Sequence, residues 1–452
     1  MTAARTEDTD ERRRAPARHA DRRRAAPATL LTALLAACAL GSGLILLVSM
    51  RSGGSSALIV GDGKAYYAWA RSALVDHDLD FGNDYRLLYP PDPLPDEAEA
   101  RTPIGRVPNK YPVGLALVEA PGVLLADLLA HVVPGATADG ASWPYQVVVA
   151  GWLVALELLG VLLLFRAMVR LGAAPTWAAA SSAVLLAGTN LIHYVAKEPA
   201  MAHGAGIALF GIALYVAAGW PDRWSGVGLA GRLLFGALLG LLVLVRNSNV
   251  VLLPLLGWAA VRKRGVSTAV APIVASCALI LLLQPLSLYL LWGDLRLHTY
   301  PSEGFTADRF GVWNTLFSTR HGLFVYHPWY LVLVVLNCLA LSRGPRTIAA
   351  LALSSFAGLV VINGTWWCWW FGASFGNRAF VESLAPMTVG ASLFVSRSRN
   401  PRRTALLCGA AAVAAILSNV DLWLGYLLHR YPHDGGHGIT DAYLWFVHPP
   451  RP

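Results

Sequence analysis

The chain has 452 residues, of which 56% are hydrophobic and only 14% charged, and its mean hydropathy is +0.50. Soluble domains carry about a quarter charged residues, so this composition excludes a soluble enzyme, a disordered chain and a secreted disulfide scaffold and points to a polytopic helical membrane protein. The net charge of +9 reads as cytoplasmic Lys and Arg rather than as a nucleic-acid surface.

Residues 1–27 mix Arg12, Arg13, Arg14, Arg22, Arg23 and Arg24 with Glu7, Asp8, Asp10 and Glu11, which predicts a disordered cytoplasmic tail. The apolar run 28–50 is long enough to span a bilayer. It lacks a small-residue cleavage site, so it reads as a retained first helix with the N-terminus in the cytoplasm. Cys38, Cys277, Cys338, Cys368 and Cys408 form no CxxC pair and read as small apolar residues.

Further apolar runs occupy 112–131, 145–165, 177–195, 199–218, 230–246, 249–261, 267–291, 327–342, 346–364, 379–396 and 404–425. Basic connectors carry Arg166 and Arg170, Arg223 and Arg232, Arg262 to Arg264, Arg343 and Arg346, and Arg397 to Arg403. With all five in the cytoplasm, every helix from 145 onward alternates. No crossing is then left for 112–131, which is interrupted by Pro121 and Gly122 and carries Glu119 and Asp127. This run is expected to lie in or re-enter the outer face. The expected fold is an all-α polytopic bundle of about 11 spanning helices, with 12 spans as the alternative. Its parts are the tail 1–27, a transmembrane domain 28–425 and an external segment 426–452. Within the domain, 51–144 forms an external loop with juxtamembrane or re-entrant helices. Loops on a rigid scaffold carry function.

Asp62 stands about ten residues past the first helix, between Gly61 and Gly63. It reads either as the N-cap of the following helix or as a general base. The Asp-rich stretch Asp76, His77, Asp78, Asp80, Asp84 has no fixed ligand spacing and reads as Asx turns rather than a metal site. Lys197 and Glu198 interrupt two apolar runs, where ionisable groups are costly; a snorkelling ion pair is the plainer reading. Arg246 lies at the outer end of its run, suited to a lipid phosphate or to an acid such as Glu198. Arg320 precedes His321 and can bind phosphate as a fork. Trp366, Trp367, Trp369 and Trp370 read as an interfacial belt or as a platform for sugar rings, and lead through Gly372, Ser374 and Gly376 to Arg378. The final His433, Asp434 and His437 read as a solvated loop.

Taken in order, several segments resemble the GT-C superfamily of polytopic glycosyltransferases, in particular bacterial members related to family 39. They are Gly61, Asp62, Gly63 with Tyr66 and Tyr67; Asp78, Leu79, Asp80, Phe81; Lys110, Tyr111, Pro112; Arg320 to Phe324; and Ser374 to Arg378. The resemblance implies Asp62 as catalytic base, a polyprenyl-phosphate-linked sugar as donor and an active site on the outer face. A single Asp replaces the Asp-Glu pair of protein mannosyltransferases and no large soluble C-terminal domain follows, which argues against protein O-mannosylation. On this reading Lys197, Arg320, Arg378 and Arg246 hold the donor phosphate. Glu198, His321, Tyr66, Trp369 and Trp370 hold sugar or acceptor. The acceptor is a glycan or lipid of the cell envelope, and no cofactor or metal is required. The alternative is a transporter or flippase of a lipid-linked or polyol substrate, against which no inverted repeat is visible.

Overall fold

Apolar runs in lipid must pair every backbone N–H and C=O internally, and among the described residues every regular element is a helix. The computed structural model describes residues 29–43 except 30, 34 and 37, then 58–219, 228–262, 269–296, 300, 303–306, 311–431 and 433. The tail 1–27, residues 44–57 of the first loop and residues 434–452 of the C-terminal segment lie outside the described residues.

In chain order the helices are α1 (Leu31–Gly43), α2 (Gly63–Arg71), α3 (Gly82–Leu88), α4 (Gly114–Val132), α5 (Trp143–Arg170), α6 (Pro175–Ala187), α7 (Leu191–Ala196), α8 (Ala202–Gly219) and α9 (Leu229–Val245). They continue as α10 (Leu253–Val261), α11 (Val270–Trp292), α12 (Val312–Phe317), α13 (Leu323–Tyr326), α14 (Trp329–Arg343), α15 (Arg346–Thr365), α16 (Leu384–Val395) and α17 (Pro401–Leu427). Among the described residues, six are long and apolar enough to cross a membrane: α4, α5, α8, α11, α15 and α17. The chain is a helical membrane protein.

Small residues let the helices close. A methyl group on Gly160 of α5 would sit 2.3 Å from the Ala208 Cα of α8, and one on Gly211 would sit 2.3 Å from the Gly160 carbonyl oxygen. Gly236 meets Pro272 of α11 equally closely. Such contacts drive helix association in lipid, where apolar burial contributes little.

The contacts define two ends. At one end Arg170 donates to the Tyr215 carbonyl, Ala174 N–H donates to Ser396 Oγ, and Gly344 abuts Phe394. The basic termini of α5, α14, α15 and α17 therefore gather there. At the other end, the starts of α2 and α8 meet the ends of α9 and α15. From α5 onward the longer helices run between these two ends.

Three of the apolar runs break on reaching the second end. The run 177–195 divides into α6 and α7, 249–261 opens with the 3-10 turn Asn247–Leu252, and 379–396 opens with Arg378–Ser383. Broken helices expose carbonyls that need donors, and asparagines supply them. Asn419 Nδ2 donates to the carbonyls of Ala187 (2.9 Å) and Thr189 (2.8 Å). Asn249 Nδ2 donates to Leu242 (3.0 Å) and Asn363 Nδ2 to Ala379 (3.2 Å).

The interruption expected at Pro121 and Gly122 does not occur, because α4 is one helix of 19 residues. The Trp152 indole donates to the Val118 carbonyl at 2.8 Å, tying α4 to α5 beside Pro121. Gly122 leaves room for that ring. The helix runs antiparallel to the N-terminal half of α5, pairing Val118 with Trp152 and Asp127 with Tyr145. Further along α5, Glu157 faces Gly204 at the start of α8.

Candidate active site

Gly61 adopts a left-handed φ of 56°, open to glycine at no steric cost, and turns the chain into α2. The Asp62 backbone carbonyl accepts from the amides of Ala65 and Tyr66. Its carboxylate makes no capping bond. Instead Oδ2 accepts from an Arg378 guanidinium nitrogen at 2.6 Å. The side chain therefore does not serve as the cap of α2. Burial pushes its carboxyl upward. Arg378, a hydrogen bond from Tyr111 and the charge of Lys110 outweigh burial and hold it below the ordinary aspartate range. Lys64, two residues on, is buried and tied to Asp92 (2.6 Å) and the Tyr89 carbonyl (3.1 Å).

Asp62 and Arg378 line a cavity of about 400 Å³, together with Tyr66, Arg246, His203, Lys110, Tyr111, Tyr300, Glu303 and Trp366. Arg246 leaves the end of α9 in extended backbone. Its guanidinium lies 3.5 Å from Glu382 Oε1, and His203 Nδ1 lies 3.0 Å from the same oxygen. Glu382 is 1% exposed. Gly206 makes way for it, since a methyl group there would sit 3.0 Å from Glu382 Cγ. A buried acid thus fixes the second cation on the cavity wall. Tyr66 and Tyr111 pack with ring centroids 4.5 Å apart beside Asp62.

Of the residues singled out in the sequence, the structure gathers Asp62, Tyr66, Arg246 and Arg378 on this cavity, with Lys110, Tyr111, Pro112, Trp366, Trp367, Cys368 and Gly372 beside them. Lys197, Glu198, Arg320, His321, Trp369 and Trp370 do not line it. Glu198 lies 3.2 Å from His193 Nε2, whose Nδ1 accepts from the Trp423 indole at 3.1 Å. Glu198 still contributes to the field at Arg378. Lys197 is half-buried at the end of α7. Arg320 stacks over Trp370 at 4.0 Å. His321 is buried against the Trp370 carbonyl, 3.0 Å away. Trp369 and Trp370 pack edge to face, centroids 5.6 Å apart. The tryptophans that face the cavity are Trp366 and Trp367. The Asp-rich loop is structural. Arg71 holds Asp84 at 2.7 Å and also Asp76. Asp80 Oδ1 accepts from the amides of Gly82 and Val107. His433 stacks on Tyr426 at 3.9 Å, and 434–437 lie outside the described residues.

Glu382, His203, Tyr300 and Glu303 were not singled out. Glu382 carries one legible signal, an acid four residues after Arg378 at the head of an apolar run. Glu303 and Tyr300 sit in a polar loop with no pattern of their own. No family model matches the chain, and no curated protein or solved structure shows significant similarity to it.

Proposed function

We propose that this chain is a membrane glycosyltransferase of the GT-C type. It moves a sugar from a polyprenyl-phosphate donor to a cell-envelope glycan or lipid acceptor on the external face. The observation that carries this reading is the meeting of one carboxylate, Asp62, with two guanidinium groups, Arg378 and Arg246, in one cavity.

The chemistry needs those groups. An acceptor hydroxyl oxygen attacks the anomeric carbon as the bond to the phosphate oxygen breaks. The bonding pair leaves with the lipid phosphate, and the hydroxyl proton passes to Asp62. General-base help is worth roughly 10²- to 10⁴-fold. Arg378 and Arg246 face the charge that grows on the leaving phosphate, where preorganised cations act most strongly. Single displacement inverts the anomeric centre. In the free protein Arg378 is engaged by Asp62. A bound phosphate competes for that guanidinium and loosens its hold on the carboxylate, so donor binding makes Asp62 a stronger base.

The proposed topology keeps the N-terminus and the basic end in the cytoplasm and the cavity outside. With α1 it gives about 11 spanning segments. Helix α4 pairs with the half of α5 beyond the cavity level, which supports the non-spanning reading of 112–131. The transporter reading draws on Glu119 and Glu157, buried in α4 and α5 with no hydrogen-bond partner. Neither lines the cavity, so the glycosyltransferase reading fits better. Labelled sugar transfer from polyprenyl-phosphate donors, measured in membranes carrying the wild type and Asp62→Asn, tests it.

A further inference from the structure

The cavity holds a second set of groups that the displacement chemistry does not use. Residues 303–306 run beside 365–367. Thr306 N–H donates to the Thr365 carbonyl at 2.7 Å and Trp367 N–H to the Gly304 carbonyl at 3.1 Å. This pairing sets Glu303 on the cavity wall. Its Oε2 accepts from the Trp367 indole at 3.0 Å, and its Oε1 from Lys110 at 2.8 Å. Lys110 also holds Glu97 at 3.0 Å. Phe305 and Trp367, 62% and 46% exposed, both face this cavity. Tyr300 joins the two regions, its ring 6.2 Å from Tyr111 and 5.5 Å from Trp366.

These groups select a ligand class. One lysine against two carboxylates leaves the region slightly acidic, so phosphate is directed to Arg378 and Arg246 instead. Each Glu303 oxygen is fixed by one donor and keeps a lone pair for another. What fits is an uncharged ligand with hydroxyl donors on its edge and a C–H face for an aromatic ring. We infer that this region is a subsite for a neutral saccharide ring, with Glu303 accepting from its hydroxyls and Trp367 and Phe305 covering its face. Glu303 is then a specificity-determining residue of the reaction proposed above, and the inference rests on that reading for its place in catalysis.

The test uses the full chain purified in detergent. Methyl glycosides of neutral hexoses and pentoses are titrated by saturation-transfer NMR, and inorganic phosphate by calorimetry. At least one glycoside should bind the wild type. Glu303→Gln and Trp367→Ala should each weaken it about tenfold. Trp313→Ala, on an exposed ring outside the cavity, should not. Phosphate affinity should be unchanged in all three. The subsite is overturned if no glycoside binds the wild type, if binding survives both substitutions, or if phosphate affinity falls along with it. Phosphate binding without glycoside binding removes the subsite alone. Glycoside binding that depends on Glu303, in a protein that transfers no sugar, keeps the subsite and removes the enzyme reading.

Discussion

Asp62 and Arg378 lie 316 positions apart in the sequence, yet their side chains meet at 2.6 Å on the wall of one cavity. The pair joins the first loop to the turn that follows the tryptophan cluster. It also neutralises, in the free protein, the two groups that the proposed chemistry needs most.

Removing the base should abolish transfer while sparing the fold. Asp62→Asn keeps the shape and one hydrogen bond to Arg378. Sugar transfer should fall by about 10²- to 10⁴-fold, with membrane insertion retained and thermal unfolding lowered by no more than the loss of this one ion pair. Rates and melting curves on the same preparations check this.

The ion pair fixes the pH response. Asp62 is held below its ordinary value of about 3.9, so it stays ionised at neutral pH. The stability that the pair contributes is present above the unfolded pKa and is lost as pH falls through the lower folded one. The acid limb of kcat/KM assigned to Asp62 should therefore lie below the ordinary aspartate range. In Arg378→Gln burial is no longer opposed by this guanidinium, and that limb should move to higher pH. Rate profiles of both proteins measure the shift.

Arg246 and Glu382 should behave as a unit. Arg246→Ala leaves Glu382 buried beside His203 without its guanidinium. Breaking a buried pair in this way costs about 3–5 kcal/mol. Arg246→Ala should lower stability and raise KM for donor. The double variant Arg246→Ala with Glu382→Gln should regain part of the stability but not the donor affinity. Thermal unfolding and donor KM separate the two effects.

The four candidate phosphate-binding cations should rank by position. Arg378→Ala and Arg246→Ala remove charge from the cavity, whereas Lys197→Ala and Arg320→Ala change groups that do not line it. Donor KM should rise at least tenfold in the first two and less than about threefold in the others, given that screened charges at a distance contribute little. Titrations of donor against all four variants give the order.

The contact between α5 and α8 should tolerate no added bulk. Gly160→Val drives a branched side chain into the Ala208 backbone. Overpacking costs about 1–3 kcal/mol or more, so folded yield should fall, while Gly151→Val, with open space around it, should be neutral. Detergent-resistant folded fraction is the readout.

Much of this was legible in the sequence. The apolar runs marked the helical, membrane-spanning character of the chain, because hydropathy acts locally along it. The breaks at Gly188, Asn247 and Arg378 were not visible, since their carbonyls are satisfied by distant residues such as Asn419 and Asn363. Asp62 and Arg378 stood out through their flanking glycines. The other candidate cations looked equivalent, because linear order cannot tell Arg246, which Glu382 holds on the cavity wall, from Arg320, which stacks on Trp370. Which tryptophans face the cavity depends on where α15 stops and on the pairing of Phe305 with Trp366. Neither could be read from spacing.

The central claim is tested most directly by radiolabelled sugar transfer from a panel of polyprenyl-phosphate donors, with inserted wild type, Asp62→Asn and Arg378→Gln compared side by side. The account predicts transfer by the wild type from at least one donor, with inverted anomeric configuration, loss of it in Asp62→Asn, and transfer at a raised donor KM in Arg378→Gln. Full transfer by Asp62→Asn, or no transfer by the wild type from any donor, would contradict it.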